Sequence, residues 1–185
     1  MFARVLIFIG MIIYLILASP RANAQYLGNS LSVIGEGAAG LFVGDAFGGV
    51  TAHVGFLFEE GGMRFTARYV YQVDSRAPDF SSAQPSKIDV MREASILVGL
   101  THFNDLGVYA GSAGVAWTWG RYLPPLSSGS FSTIALAIEG YGGVELTKSI
   151  RIGLLARANI NGIRTTASIN AQIGVVLFNV AHAAG

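Results

Sequence analysis

Two adjacent stretches near the end of the chain alternate between apolar and polar residues. Positions 150–160 are apolar at every even number, and arginine, glycine or asparagine fills all but one of the odd numbers. Positions 167–175 are apolar at every odd number, with polar residues or glycine between them. A period of two is typical of a β-strand whose two faces meet different surroundings. The short link at 161–164 therefore predicts a hairpin of two long strands.

The first 24 residues have the order of a secretory signal peptide. Arg4 precedes an apolar run over 5–17, and Ala22-Asn23-Ala24 is a small-residue cleavage site before Gln25. Thirteen residues rise only about 20 Å as a helix, whereas the hydrocarbon core measures about 30 Å. We therefore expect residues 1–24 to be removed after export; an uncleaved membrane anchor is the alternative.

Charge and cysteine content exclude several kinds of protein. Without Arg4 and Arg21, ten Lys and Arg residues remain against eleven Asp and Glu residues, so the mature chain is close to neutral. No basic cluster is present, and we expect no binding to nucleic acid. The chain has no cysteine, which excludes disulfides, thiol chemistry and cysteine-based metal sites.

The mature sequence predicts an all-β protein, an eight-stranded antiparallel up-and-down transmembrane barrel. No apolar stretch after residue 24 reaches 18 residues, and only helices and closed barrels satisfy every backbone group in lipid. The barrel is expected over 25–178, and 179–185 forms a short C-terminal tail. The expected strands are 31–43, 51–59, 63–74, 90–102, 107–119, 132–144, 149–161 and 165–178.

The connections between these strands differ in length. The first set, at 60–62, 103–106 and 145–148, is short, as expected for periplasmic turns. The second set lies at 44–50, 75–89, 120–131 and 161–164, and its two middle members are long and rich in serine and proline. Such barrels place their longer loops outside the cell. We predict Phe80 and Tyr122 as exposed loop residues that contact a partner.

The parity of each strand separates an apolar face from a charged face. The apolar face is expected to meet lipid, with aromatic residues near the strand ends. Arg92 is the exception on this face, and it lies close enough to the outer end to reach the interface. An eight-stranded barrel is just wide enough for side chains to fill it, so inward charges must pair. The predicted lumen network comprises Glu36, Arg64, Arg68, Glu93, Glu139, Arg151 and Arg157.

Enzymatic motifs are absent from the sequence. No string typical of a zinc protease or a serine hydrolase occurs, and no spacing indicates a metal site. His53 beside Glu93 or a serine could form the base and nucleophile of a lipid hydrolase, although a lumen histidine without catalytic function is the simpler interpretation. The glycines at Gly35, Gly37 and Gly40 match a dinucleotide motif only formally, because no βαβ unit follows. We expect neither catalysis nor a cofactor.

Residues 140–152, GYGGVELTKSIRI, resemble the penultimate hairpin of a family of small outer-membrane β-barrels. This family includes OmpA-type transmembrane domains, OmpX and opacity-type surface antigens. The resemblance implies an integral protein of a Gram-negative outer membrane that is surrounded by lipid. It also implies assembly by periplasmic chaperones and the barrel-assembly machinery, and loops that contact host or matrix. Chains of this family usually end on a lipid-facing aromatic residue, whereas Phe178 here precedes seven residues and has the parity of Gln172.

Three functions remain open at the level of sequence. The first is a structural or surface-interaction role, such as adhesion, through the extracellular loops. The second is a pore for small solutes or ions, or a barrel that carries a ligand. The third and least favoured is a lipid-modifying enzyme. A soluble periplasmic barrel is a further alternative, but it would expose a large apolar band to water.

Overall fold

The computed structural model describes residues 30–44, 48–74, 90–122, 129–163 and 165–181. Within these ranges the chain forms eight β-strands and confirms the all-β prediction. The strands are β1 Ser30–Gly44, β2 Gly48–Glu60, β3 Met63–Asp74, β4 Val90–Asn104, β5 Gly107–Tyr122, β6 Gly129–Thr147, β7 Ile150–Ile160 and β8 Thr166–Ala181. Among the residues described, none forms a helix that is long and apolar enough to span a bilayer. The predicted signal peptide lies outside them.

The strands form a closed antiparallel barrel in sequence order. Each strand pairs with the next, and β1 pairs with β8 to close the sheet. Closure satisfies the backbone groups that an open sheet would leave unpaired at its edges. The predicted up-and-down topology is therefore confirmed.

The two ends of the barrel differ in their connections. The turn end has three tight turns at 61–62, 105–106 and 148–149. Gly61 and Gly62 have positive φ angles of 58° and 82°, which a two-residue hairpin of this twist requires. Asn104 closes the second turn, since its side-chain oxygen accepts hydrogen bonds from the backbone N–H groups of Leu106 and Gly107. The loop end carries the connections at 45–47, 75–89, 123–128 and 161–165.

Several strands are longer than the sequence pattern predicted. β6 extends at both ends, so the predicted turn over 145–148 contracts to Lys148 and Ser149. β5 ends at Tyr122, which therefore belongs to a strand end and not to a loop tip. β8 continues to Ala181, three residues into the segment predicted as a tail. The second predicted contact residue, Phe80, lies outside the described residues.

The prediction that Phe178 shares the inward face with Gln172 is wrong. The register of β8 shifts between Val176 and Phe178, where these residues pair with Ile34 and Val33 of β1. Such a bulge adds one residue to a strand and moves later side chains to the opposite face. Phe178 pairs with Val33 and is 59% exposed on the outer surface.

The outer surface carries an apolar band. Alternating positions of the strands are exposed there, including Phe56, Ile96, Ile134 and Leu154. The outward positions named here match the parity assigned from the sequence, whereas Phe178, beyond the bulge of β8, does not. Arg92 also faces outward and is exposed, as predicted.

The interior is divided between polar and apolar sectors. Leu97, Ala116, Ala135 and Ala137 form one buried apolar cluster. A second cluster comprises Val108, Ala110, Tyr141 and Leu155, with Phe103 packed against it. Gly40 lies at a crowded point of the barrel wall. A Cβ added to it would lie 2.0 Å from the backbone oxygen of Ile169. Only glycine fits at this point of the wall.

Candidate functional site

The lumen contains a chain of ion pairs, buried except at its first member, in which glutamate and arginine alternate. It begins at the turn end and extends toward the loop end, and we name it the lumen ladder. Five glutamates and four arginines form it within the described residues. In order of contact they are Glu145, Arg151, Glu59, Arg64, Glu36, Arg68, Glu139, Arg157 and Glu93.

Cross-strand register creates several of the ladder's links. Glu59 lies directly opposite Arg64 on β2 and β3, and Glu139 lies directly opposite Arg157 on β6 and β7. Opposite charges in such positions are within reach without any bend of the backbone. The strand period of two places all four side chains inward, where they are no more than 7% exposed.

Other links cross the lumen and connect distant strands. At the turn end, Arg151 of β7 donates to Glu59 of β2 at 2.5 Å, and it also donates to Glu145, its direct cross-strand neighbour on β6, at 2.8 Å. In the middle, Arg68 of β3 donates to Glu36 through Nε at 3.0 Å and to Glu139 of β6 at 2.5 Å. The contacts of Arg151 with Glu59 and of Arg68 with Glu139 each connect strands that are three positions apart around the barrel.

Glu139 holds two arginines through a single oxygen. Its Oε1 accepts from Nη1 of Arg68 and from Nη1 of Arg157. Arg157 also donates through Nη2 to Glu93 of β4 and to the hydroxyl of Ser95 at 3.0 Å. Glu139 is therefore the junction between the middle of the ladder and its end nearest the loops.

Neutral side chains satisfy much of the remaining hydrogen-bonding capacity. Asn159 donates to Glu93 at 2.6 Å and to Thr118 at 2.9 Å, while Gln172 donates to Glu36 at 2.6 Å. Thr101 donates its hydroxyl to Glu59 at 2.7 Å. A buried carboxylate with an ion pair and further hydrogen bonds avoids much of the cost of desolvation.

Aromatic rings support the ladder at the turn end. The guanidinium of Arg64 lies 5.7 Å from the ring centroid of Tyr141, and that of Arg151 lies 5.1 Å from the ring of Phe103. Both distances allow a cation–π interaction. Since the rings also border the second apolar cluster, they connect the polar and apolar sectors of the interior.

All seven residues named from the sequence lie in this ladder, and two further members were not named. Glu59 has the inward parity but was left out of the predicted network, and Glu145 was assigned to a turn. Extending the inward parity of β6 from Glu139 by six residues would have identified Glu145. The sequence pattern does not show that both glutamates share Arg151 as a partner. Arg151 contacts Glu145 on the neighbouring strand and Glu59 across the lumen.

His53 lies buried in the lumen but without the predicted alternative partner. Neither ring nitrogen has a hydrogen bond among the residues the structure describes. Glu93 contacts Arg157 and Asn159 instead. The base and nucleophile of the hydrolase alternative are thus not assembled at His53. No group of three or more His, Asp or Glu side chains in the described ranges has a geometry that could hold a metal ion.

No protein-family model and no curated protein sequence matches this chain. Solved structures do match. Neisserial surface protein A (NspA) aligns over 80% of this chain and 98% of its own, with 12% identity and a TM-score of 0.63. The fold is that of the small outer-membrane β-barrels.

Two further structures have the outer-membrane barrel fold at the same sequence identity. Ail, the attachment invasion locus protein of Yersinia pestis, covers 80% of this chain and 99% of its own, with 12% identity and a TM-score of 0.54. Its structure contains the heparin analogue sucrose octasulfate. The N-terminal barrel domain of Pseudomonas aeruginosa OprF covers 80% and 97%, with 12% identity and a TM-score of 0.53.

Proposed function

We propose that this chain is an integral outer-membrane barrel with a structural or surface-interaction role at its loop end. The observation that carries the proposal is the lumen ladder. Its charges are paired with one another across the lumen, and those between Glu59 and Glu93 along the ladder are at most 7% exposed. Charges that are buried and paired with one another are not available to a partner, which leaves the loops as the place where a partner is contacted.

The proposed location follows from the outer surface. The apolar band has no charged side chain at mid-strand in the described residues, as lipid demands. The proposed partners in assembly are periplasmic chaperones and the barrel-assembly machinery, which reads a lipid-facing aromatic residue in the last strand of this class of barrel. Phe178 is such a residue on the outer face of β8, although seven residues follow it. This surface and the signal peptide predicted from the sequence together support a location in a Gram-negative outer membrane.

The proposed role at the loop end is non-enzymatic contact with host cells or matrix. It draws support from the fold shared with an attachment protein and from the length of the connection at 75–89. Phe80 lies within that connection and is proposed as an apolar anchor, and Tyr122, the last residue of β5, directly precedes the connection at 123–128.

Adhesion assays with one apolar residue from the connection at 75–89 and one from a tight turn test this role. Cells that express Phe80→Ser should adhere to matrix-coated surfaces less than cells with the wild-type protein, at equal surface level. Leu106→Ser is the matched control, since Leu106 is 77% exposed in a turn at the other end. Equal adhesion by wild type and by a variant with 78–86 replaced by glycine and serine would contradict the role. A steady open conductance in planar bilayers would instead favour the pore.

A further inference from the structure

Two exposed arginines lie side by side on the outer surface, near the loop end. Arg92 of β4 pairs in register with Trp119 of β5, and Arg121 lies two residues beyond Trp119 on the same face. Diagonal neighbours of this kind have Cβ atoms about 7–8 Å apart, within reach of one common ligand. The other described arginines are buried in the lumen. This pair is therefore the only cationic feature of the described outer wall.

Aromatic rings hold the first of these arginines in place. The guanidinium of Arg92 lies 6.0 Å from the ring centroid of Tyr71. Behind it, Trp119 contacts Trp117 with centroids 5.0 Å apart and Tyr69 with centroids 6.1 Å apart. Such amphipathic rings mark the boundary between hydrocarbon and headgroups. The two arginines thus lie at the depth where a lipid presents its polar group.

Two hydroxyl groups complete a set of hydrogen-bond donors. Ser130 pairs with Arg121 across β5 and β6, and Ser132 pairs with Trp119. Both serines are exposed. The oxygen of Ser132 accepts a hydrogen bond from Nε1 of Trp117 at 2.6 Å, so its own proton is available for a ligand. We name Arg92, Arg121, Ser130 and Ser132 the outer donor patch.

The outer donor patch has the chemistry of an anion site. Neither arginine forms an ion pair with an acidic side chain in the described part of the chain, in contrast to every arginine of the lumen. Exposed guanidinium groups without a described acidic partner are available to bind an anion. Phosphate suits them best, because its oxygens accept the paired N–H groups of arginine.

We propose that the outer donor patch binds the phosphate group of a lipid in the leaflet at the loop end. The proposal rests on the proposed function, since it requires the apolar band to lie in a bilayer. The turn end has no such patch, since its one described cation outside the lumen is Lys148, which lies in a turn. Binding is thus specific to one leaflet and would anchor the barrel at a fixed depth.

Fluorescence titration provides a direct test, since the chain's two tryptophans, Trp117 and Trp119, both border the patch. The folded protein in uncharged detergent micelles is titrated with lipid A, a diphosphorylated glycolipid. Dephosphorylated lipid A and inorganic phosphate are titrated separately. The wild type should give a saturable change with lipid A alone. The double variant Arg92→Gln, Arg121→Gln should bind at least about tenfold more weakly, since it loses charge-assisted hydrogen bonds.

Controls separate this proposal from the one on which it rests. Lys148→Gln removes an exposed cation at the turn end and should bind like the wild type. The lipid site would be overturned if the double variant bound lipid A as tightly as the wild type, or if Lys148→Gln lost as much affinity as the double variant. A response to inorganic phosphate equal to the response to lipid A would also overturn it. A chain that stays soluble and never enters micelles would count against the membrane barrel itself. Heat-dependent gel mobility confirms that each variant is folded.

Discussion

Glu139 is the residue on which the lumen ladder depends most. The residue is 5% exposed, and its carboxylate binds two arginines through one oxygen. Removing one partner of a buried ion pair leaves a charge that water cannot reach, which costs far more than the pair itself contributes. Since Arg68 and Arg157 both depend on Glu139, its loss leaves each with one carboxylate fewer.

We expect Glu139→Gln to lower the free energy of unfolding by about 3 kcal/mol or more. Glutamine has nearly the same size, so the loss reports charge and not packing. Glu145→Gln is the control at the rim, where the side chain is 43% exposed and its pair with Arg151 is partly screened. Its effect should remain within about 1 kcal/mol. Urea unfolding in detergent, followed by tryptophan fluorescence, measures both values; similar losses would contradict the proposed junction.

At the scale of the strand, the period of two predicts most of what the structure shows. It identified the strands, the antiparallel topology and, for every ladder residue except Glu145, the inward face, because one buried face fixes the register. It could not place Phe178, because a bulge adds a residue without any local sequence signal. Nor could it identify which arginine meets which glutamate. Links such as Arg151 to Glu59 join residues 92 positions apart, and only closure of the barrel brings them together.

The surroundings of the outer face can be tested with one strand residue. Leu154 lies in the middle of β7 and is 61% exposed. In lipid, Leu154→Arg should cost about 2–4 kcal/mol of folding free energy, since it places a charge near the bilayer midplane. Leu106→Arg, at an exposed turn position, should change stability by no more than about 0.5 kcal/mol. Folding titrations into lipid vesicles give both numbers. If both substitutions are harmless, the apolar band faces water.

At the scale of the whole molecule, the barrel differs in chemistry between its inside and its outside, and between its two ends. The interior joins opposite walls through alternating charges, and the exterior is apolar between its two rims. The rims differ, because the turn end has tight turns while the loop end has the longer connections and the outer donor patch. A molecule of this kind has a rigid wall and a single end suited to contact, which is the basis of the proposed surface role.

Fractionation of cells that express the chain tests the central claim most directly. The proposal predicts recovery in the outer-membrane fraction, with a protein that migrates differently on a gel before and after boiling in detergent. That shift reports a closed barrel that resists detergent until heated. Recovery as a freely soluble periplasmic protein, with one mobility before and after boiling, would contradict the membrane barrel and the functions proposed from it.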